Sequence, residues 1–350
     1  MSYSRTSIGF RTPIRETLPK VWIAQLDDFI LSLSFSPSSE TLAVMTSSGK
    51  VFLIDSKKGF ILNSIQAHQF GGFGASFSKK GILATHGQDG FFRLWNPDKS
   101  FSLFKEEKMK NAWVERYAWN PQGSHFAVSA GKELFVGNEQ GEILWKSFDH
   151  SSTITSLQWE RSGDTFLTAS YGMVRFHKLL SPEPNQTLFW KTSFISLALS
   201  PNSKFLAAGT QEQDIHFWIL PYQPESDLHM SGYPNKVTEL AYDARSTTLA
   251  SNCANSVMLW DITGSGPEGK MPLELNGHLG KVTSIRFQHR GNKLATGDQN
   301  GVVSIWNPKK NTDMSLTSIL SKEISALQWS HSDEFLAVAS IEGELVLFKV

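Results

Sequence analysis

The feature that most constrains this chain is a repeat. Short segments ending in an aromatic or apolar residue ahead of a polar turn recur at Phe35 (SLSFSP), Phe77, Trp119, Trp159, Leu199, Tyr242, Phe287 and Trp329, spaced 40 to 45 residues apart. A second landmark follows each after 17 to 19 residues, at Ile54, Trp95, Val136, Phe176, Trp218, Trp260, Trp306 and Phe348. Two marks keeping step over eight units define a repeat architecture, in which a small unit buries its apolar faces only by stacking on its neighbours.

Each unit divides into short alternating or β-branched segments separated by turn residues, the pattern of antiparallel strands. In the seventh, residues 282–287 read as one strand, 293–296 as a second after HRGN, and 302–306 as a third after DQNG; a fourth begins near Met314. Four strands fill about 42 residues and leave no room for helices. Stacked four-stranded sheets close into a ring. The expected fold is therefore all-β, an eight-bladed β-propeller of four-stranded antiparallel blades, with seven blades as the alternative.

Only seven fourth strands lie between consecutive units, and the chain ends at Val350, just after its last third strand. Residues 20–26 (KVWIAQL) are placed to supply the missing outer strand, which would close the ring and remove two free sheet edges. The expected organisation is a flexible tail over residues 1–19 and a single propeller over residues 20–350.

Composition narrows the function. Lys plus Arg and Asp plus Glu each number 33, so there is no global positive field to gather nucleic acid or an anionic membrane. The apolar stretches are interrupted well short of the roughly 18 residues needed for a membrane-spanning helix. The single cysteine, Cys253, excludes an internal disulfide and a cysteine-rich zinc cluster, and suits a reducing, cytoplasmic setting.

The repeats resemble the WD40 repeat family over essentially residues 20–350. The best local match is Gly277 and His278, then LATGDQNG, then Trp306 and Asn307; the Trp-Asp dipeptide itself occurs at Trp260 and Asp261. In that family a buried network joins a His before the first strand, a Ser or Thr in the second, an Asp in the next turn and the Trp of the third. The resemblance carries these roles onto His68, Thr85, Asp89 and Trp95, and onto His278, Thr296, Asn300 and Trp306, with Asn in place of Asp in the second set. Residues 231–243 and 258–275 also resemble bacterial WD-repeat proteins linked to zinc-homeostasis GTPases, which implies a companion role in metal handling.

Enzymatic chemistry finds no site. No HxxxH or HExxH spacing occurs, GGFGAS at 71–76 precedes a strand rather than a helix, and no Ser, His and Asp set accompanies a nucleophile-bearing turn. The expectation is a non-catalytic scaffold without cofactor or bound metal, presenting propeller loops to a protein partner. The loops joining fourth to first and second to third strands share one face, and Phe29, Phe70, Phe73, Trp113, Tyr171 and Tyr233 lie in or beside them, as aromatic interface anchors would. The longer connections, 179–186, 220–226 and 262–270, fall on the opposite face. The alternative is a small-ligand or metal site in the channel, with hydrolysis as its possible activity.

Overall fold

The computed structural model describes residues 16–97, 100–110, 113–309 and 314–350. Every regular element among them is a strand. The first strands of successive repeats pack one against the next around a closed ring, the last, Ile324–Trp329, against the first, Ile30–Phe35. Each sheet runs outward from such an inner strand through antiparallel neighbours, apart from one short parallel pairing at the edge of the seventh repeat.

Hydrogen bonding groups the strands into seven sheets where eight separate ones were expected. The fourth and fifth repeats share one six-stranded sheet, because the strands Thr165–Lys178 and Pro184–Leu199 run on without interruption. The first bends back on itself at Gly172, where φ is +76°, and the Leu179 N–H reaches the Asp164 carbonyl at 2.8 Å. The second pairs along its first half with the strand before it and along its second half with Phe205–Thr210. Counted as hydrogen-bonded sheets, the ring has seven members, the alternative number, and not eight. The physical cause is that the connection after Trp190 stays extended instead of turning out of the sheet.

The core lies between the sheets. Buried apolar side chains form clusters that each draw from two neighbouring repeats; one joins Ala84, Phe92 and Leu94 to Phe126, Val128 and Phe135. Alternation along each strand sends side chains to both faces, and both faces of the second and third strands are covered. Thr41–Thr46 and Phe335–Ser340 accordingly read as almost unbroken buried runs, whereas the outer strands Ile61–Gln66 and Leu103–Lys108 alternate with exposure.

The ring is closed by the segment that leads into it. Lys20–Gln25 lies antiparallel along the final strand Glu344–Lys349, with Trp22 opposite Leu347 and Gln25 opposite Glu344. The Trp22 indole donates from Nε1 to the Ser56 carbonyl at 2.8 Å, across to the first sheet. Its ring covers Gly59, where an added Cβ would come within 2.7 Å of the indole and φ is +78°. The tail expected over residues 1–19 falls outside the described residues as far as residue 15. Beyond it, Glu16–Thr17 pairs in parallel with Leu316–Thr317, and Leu18 is fully buried among Ile324, Leu327 and Trp329.

Candidate functional site

The loops joining fourth to first strands and the turns between second and third strands are knitted together along one rim. The Asp28 carboxylate accepts from the Ser47 hydroxyl at 2.5 Å and the Ser48 N–H at 2.9 Å. Burial acts to raise the Asp28 pKa, but these hydrogen bonds outweigh it and hold the carboxyl well below the usual range. Farther along, the Gln88 N–H reaches the Gly71 carbonyl and the Val114 N–H the Gly87 carbonyl, which fixes the loops bearing Phe70 and Trp113 to the turn between them.

Beneath this rim lie the His-centred networks. In the seventh repeat His278 Nδ1 contacts Asp298 Oδ2 at 2.9 Å, while His278 Nε2 and the Trp306 indole N–H both meet Thr296 Oγ1, at 2.7 and 2.8 Å. The acid of this network is Asp298, which corrects the assignment of Asn300. Asp298 ends its strand with one carboxylate oxygen on His278, and the other accepts the N–H groups of Asn300 and Val302, leaving Asn300 exposed at the tip of the turn. The charge expected to be missing is therefore present. Burial works to raise the Asp298 pKa, and the hydrogen bonds from His278, Val302 and Asn300 together with the attraction of His278 more than offset it.

In the second repeat His68 Nδ1 contacts Asp89 Oδ1 at 2.9 Å, Arg93 donates to Asp89 Oδ2 at 2.7 Å, and Trp95 donates to Thr85 Oγ1 at 3.0 Å. His68 Nε2 is buried without a hydrogen-bond partner, so the four residues form two pairs rather than one chain.

Two further networks lie in the fourth and sixth repeats. In the fourth repeat His150 Nε2 and His177 Nε2 both meet Thr168 Oγ1, at 2.9 and 3.0 Å, so His177 takes the place of an indole and stacks on Phe166. Burial holds both imidazoles neutral, with pKa values lowered to about 4 and about 3. In the sixth repeat the Trp260 indole donates to the Tyr233 hydroxyl at 2.8 Å, and that hydroxyl meets Ser251 Oγ at 2.7 Å. Spacing carried the signal, since Tyr233 precedes Ser251 by 18 residues, as His150 precedes Thr168 and His278 precedes Thr296.

Tyr233, expected at a partner surface, is thus a buried network residue, 7% exposed. The others reach the surface to different degrees. Phe70 is 84% exposed, Tyr171 59%, Trp113 53% and Phe29 38%, and Phe73 is half-buried. The fold brings Phe73 and Trp113 together over the junction of the second and third repeats, with Phe70 on the loop that leads to Phe73. The Phe73 ring lies 6.1 Å from Trp113 and stacks at 6.4 Å on His86, whose own ring stacks on the half-buried Tyr117. Phe70 sits in the left-handed region at φ +68°, which turns its side chain out of the loop. Tyr171 stands apart on the six-stranded sheet, its N–H donated to Ser152 Oγ, and Phe29 lies over the first sheet. An exposed apolar residue in the same set of loops, Leu279, was missed because only aromatic side chains were sought.

Cys253 is half-buried, and burial pushes its thiol upward, away from thiolate character. Among the described residues no group of three or more His, Cys, Asp or Glu side chains is placed to hold a metal ion, and no helix is long and apolar enough to cross a membrane.

Residues 269–307, the repeat containing the His278–Thr296–Trp306 network, match the WD domain, G-beta repeat family. This supports the WD40 repeat family. WD-repeat relatives extend the similarity: the WD repeat-containing protein 91 homolog of Dictyostelium discoideum is 24% identical over 228 residues, 61% of this chain and 29% of the relative. The serine-threonine kinase receptor-associated protein of Rattus norvegicus is 20% identical over 233 residues, 64% of this chain and 51% of the relative. This chain thus spans about half or less of the curated relatives it matches. Among solved structures, Sqt1 of Chaetomium thermophilum bound to the N-terminus of ribosomal protein L10 superimposes with a TM-score of 0.82 at 15% identity, covering 95% of this chain and all of that one. The computationally designed Ika8 protein superimposes with a TM-score of 0.81 at 18% identity, over 95% of this chain and all of the other. These likenesses show the propeller fold.

Proposed function

We propose that this WD-repeat propeller is a non-catalytic, cytoplasmic protein-interaction scaffold, and that Phe70, Phe73 and Trp113 anchor its partner. The observation that carries this reading is the aromatic column Trp113–Phe73–His86–Tyr117, in which the exposed Trp113 ring is backed by a run of half-buried rings. Large aromatics that are rigidly backed lose little entropy when a partner covers them, which suits them to be anchors. The reading takes residues 20–350 as one structural unit, with Phe29 and Tyr171 as flanking contacts. A propeller of the same fold holds the N-terminus of a ribosomal protein, so a protein terminus or extended segment is a fitting partner here. The companion role in zinc homeostasis rests on the resemblance of residues 231–243 and 258–275 alone and forms no part of the proposal's support.

The test is quantitative capture from the native cell by the full chain and by a Phe70→Ala, Trp113→Ala double variant. Both side chains are exposed, so the melting temperature should hold while the partner's yield falls about tenfold or more. Unchanged capture would redirect attention to the opposite face.

A further inference from the structure

The central channel opens, on the face carrying the turns between first and second strands, into a cavity of about 500 Å³ bordered by residues of the third to seventh repeats, among them Gln158, Arg161, Arg245, His289 and Arg290. A second cavity of about 460 Å³ shares Gln158, Leu199 and Pro201 with it, continues inward, and is bordered by Arg116 and Arg286. No carboxylate among the described residues lines either one. The inner two arginines are held: Arg286 donates to Glu239 at 2.8 Å, and Arg116 donates to the carbonyls of Thr155 and Glu115. The outer three, Arg161, Arg245 and Arg290, are exposed and make no ion pair with any described carboxylate.

The acids around the mouth leave these guanidinium donors free, Asp243 accepting instead from Thr247 and the Thr248 N–H. Asp333 is occupied by backbone, its oxygens accepting the N–H groups of His289, Arg290 and Gly291 at 2.7, 2.8 and 3.2 Å. Glu160 and Asp164 share the turn of Arg161 but pair with no arginine, and burial pushes the Glu160 carboxyl upward. Three guanidinium groups outside any described ion pair thus border one cavity, with their donors free for a ligand. Their planar donor forks match phosphate oxygens, and the volume is that of a small-molecule site.

We infer that the mouth of the channel is a binding site for a compact ligand carrying several phosphate groups, held by Arg161, Arg245 and Arg290. The site lies on the face opposite the aromatic column, so it is independent of the proposed protein contact.

The test is calorimetric titration of the full chain with tripolyphosphate at low ionic strength, alongside an Arg161→Gln, Arg245→Gln, Arg290→Gln variant. One-to-one binding that weakens with added salt is expected, and the triple variant should bind at least about tenfold more weakly with an unchanged melting temperature. A Lys79→Gln, Lys80→Gln variant, which removes two cations from the same face outside this cavity, should bind as the parent does. Absence of binding, or equal weakening in both variants, would overturn the site. An acidic polyglutamate peptide binding more tightly than tripolyphosphate would overturn the phosphate assignment in favour of a protein ligand.

Discussion

Acidification from pH 7.5 to 5.5 should weaken this propeller through its buried histidines. His86, stacked between Phe73 and Tyr117, is lowered to about 4 by burial; His150 and His177, sharing Thr168, are lowered to about 4 and about 3; His216, stacked on Trp190, is lowered to about 4 by burial despite Asp227 nearby. Each folded pKa lies below the unfolded value of 6.5, so the unfolded chain takes up protons that the native state refuses. The stability is whole above pH 6.5 and is lost as pH falls toward 4. Integrating one such histidine over this interval gives about 1.4 kcal/mol, and four independent ones give about 5 kcal/mol as an upper limit. The result needs only that each native pKa lie well below 5.5.

Carboxylates with lowered values, such as Asp89 and Asp298, lose their contribution in a more acidic range, so this window isolates the imidazoles. Glu160, raised by burial, acts in the opposite direction nearer its own range. Urea unfolding followed by tryptophan fluorescence at pH 7.5, 6.5 and 5.5 measures the slope. A His86→Gln variant should lose up to about 1.4 kcal/mol of the change across this interval, whatever its overall stability, because the slope is read within each variant. A stability that stays within about 1 kcal/mol across the interval would refute the reasoning, since it would mean that the native state accepts these protons.

Replacing Tyr233 by Phe removes the hydroxyl that serves both Ser251 and the Trp260 indole, and should cost about 1–3 kcal/mol in urea unfolding, whereas a surface tyrosine would cost almost nothing. Asp298→Asn should destabilise by a similar amount while Asn300→Asp stays within about 0.5 kcal/mol; the reverse order would restore Asn300 to the network. Deleting residues 1–28 strips the outer strand from the last sheet and uncovers the cluster around Leu18, so the product should aggregate; a soluble monomer with unchanged melting would remove the closure.

Much of the architecture was legible because it follows from local chemistry repeated many times. Alternation, β-branched runs and turn residues placed Val282–Phe287, Val302–Trp306 and Met314–Ile319 in the seventh repeat at the expected residues. Closure by residues 20–26 was legible from a strand count. The networks were legible where the residue types matched, as at His68 and His278. Tyr233 and His177 were missed because a hydroxyl or an imidazole can replace the expected group once geometry brings it to the same Ser or Thr oxygen.

The sequence by itself determined the period, the strands within each period and the indoles that fill the gaps between sheets, because each depends on residues within about 20 positions of one another. Only the tertiary structure decided the rest. The tip of a turn and the end of a strand lie two residues apart in LATGDQNG, and the path of the backbone alone makes Asp298, not Asn300, the partner of His278. The joining of the fourth and fifth repeats depends on whether one connection stays extended, and propensity leaves that open. Arg161, Arg245 and Arg290 sit on turns of different repeats, and closing the ring is what turns them toward a common axis. A repeat specifies its unit locally, but what converges at the centre depends on how the units are arranged around it.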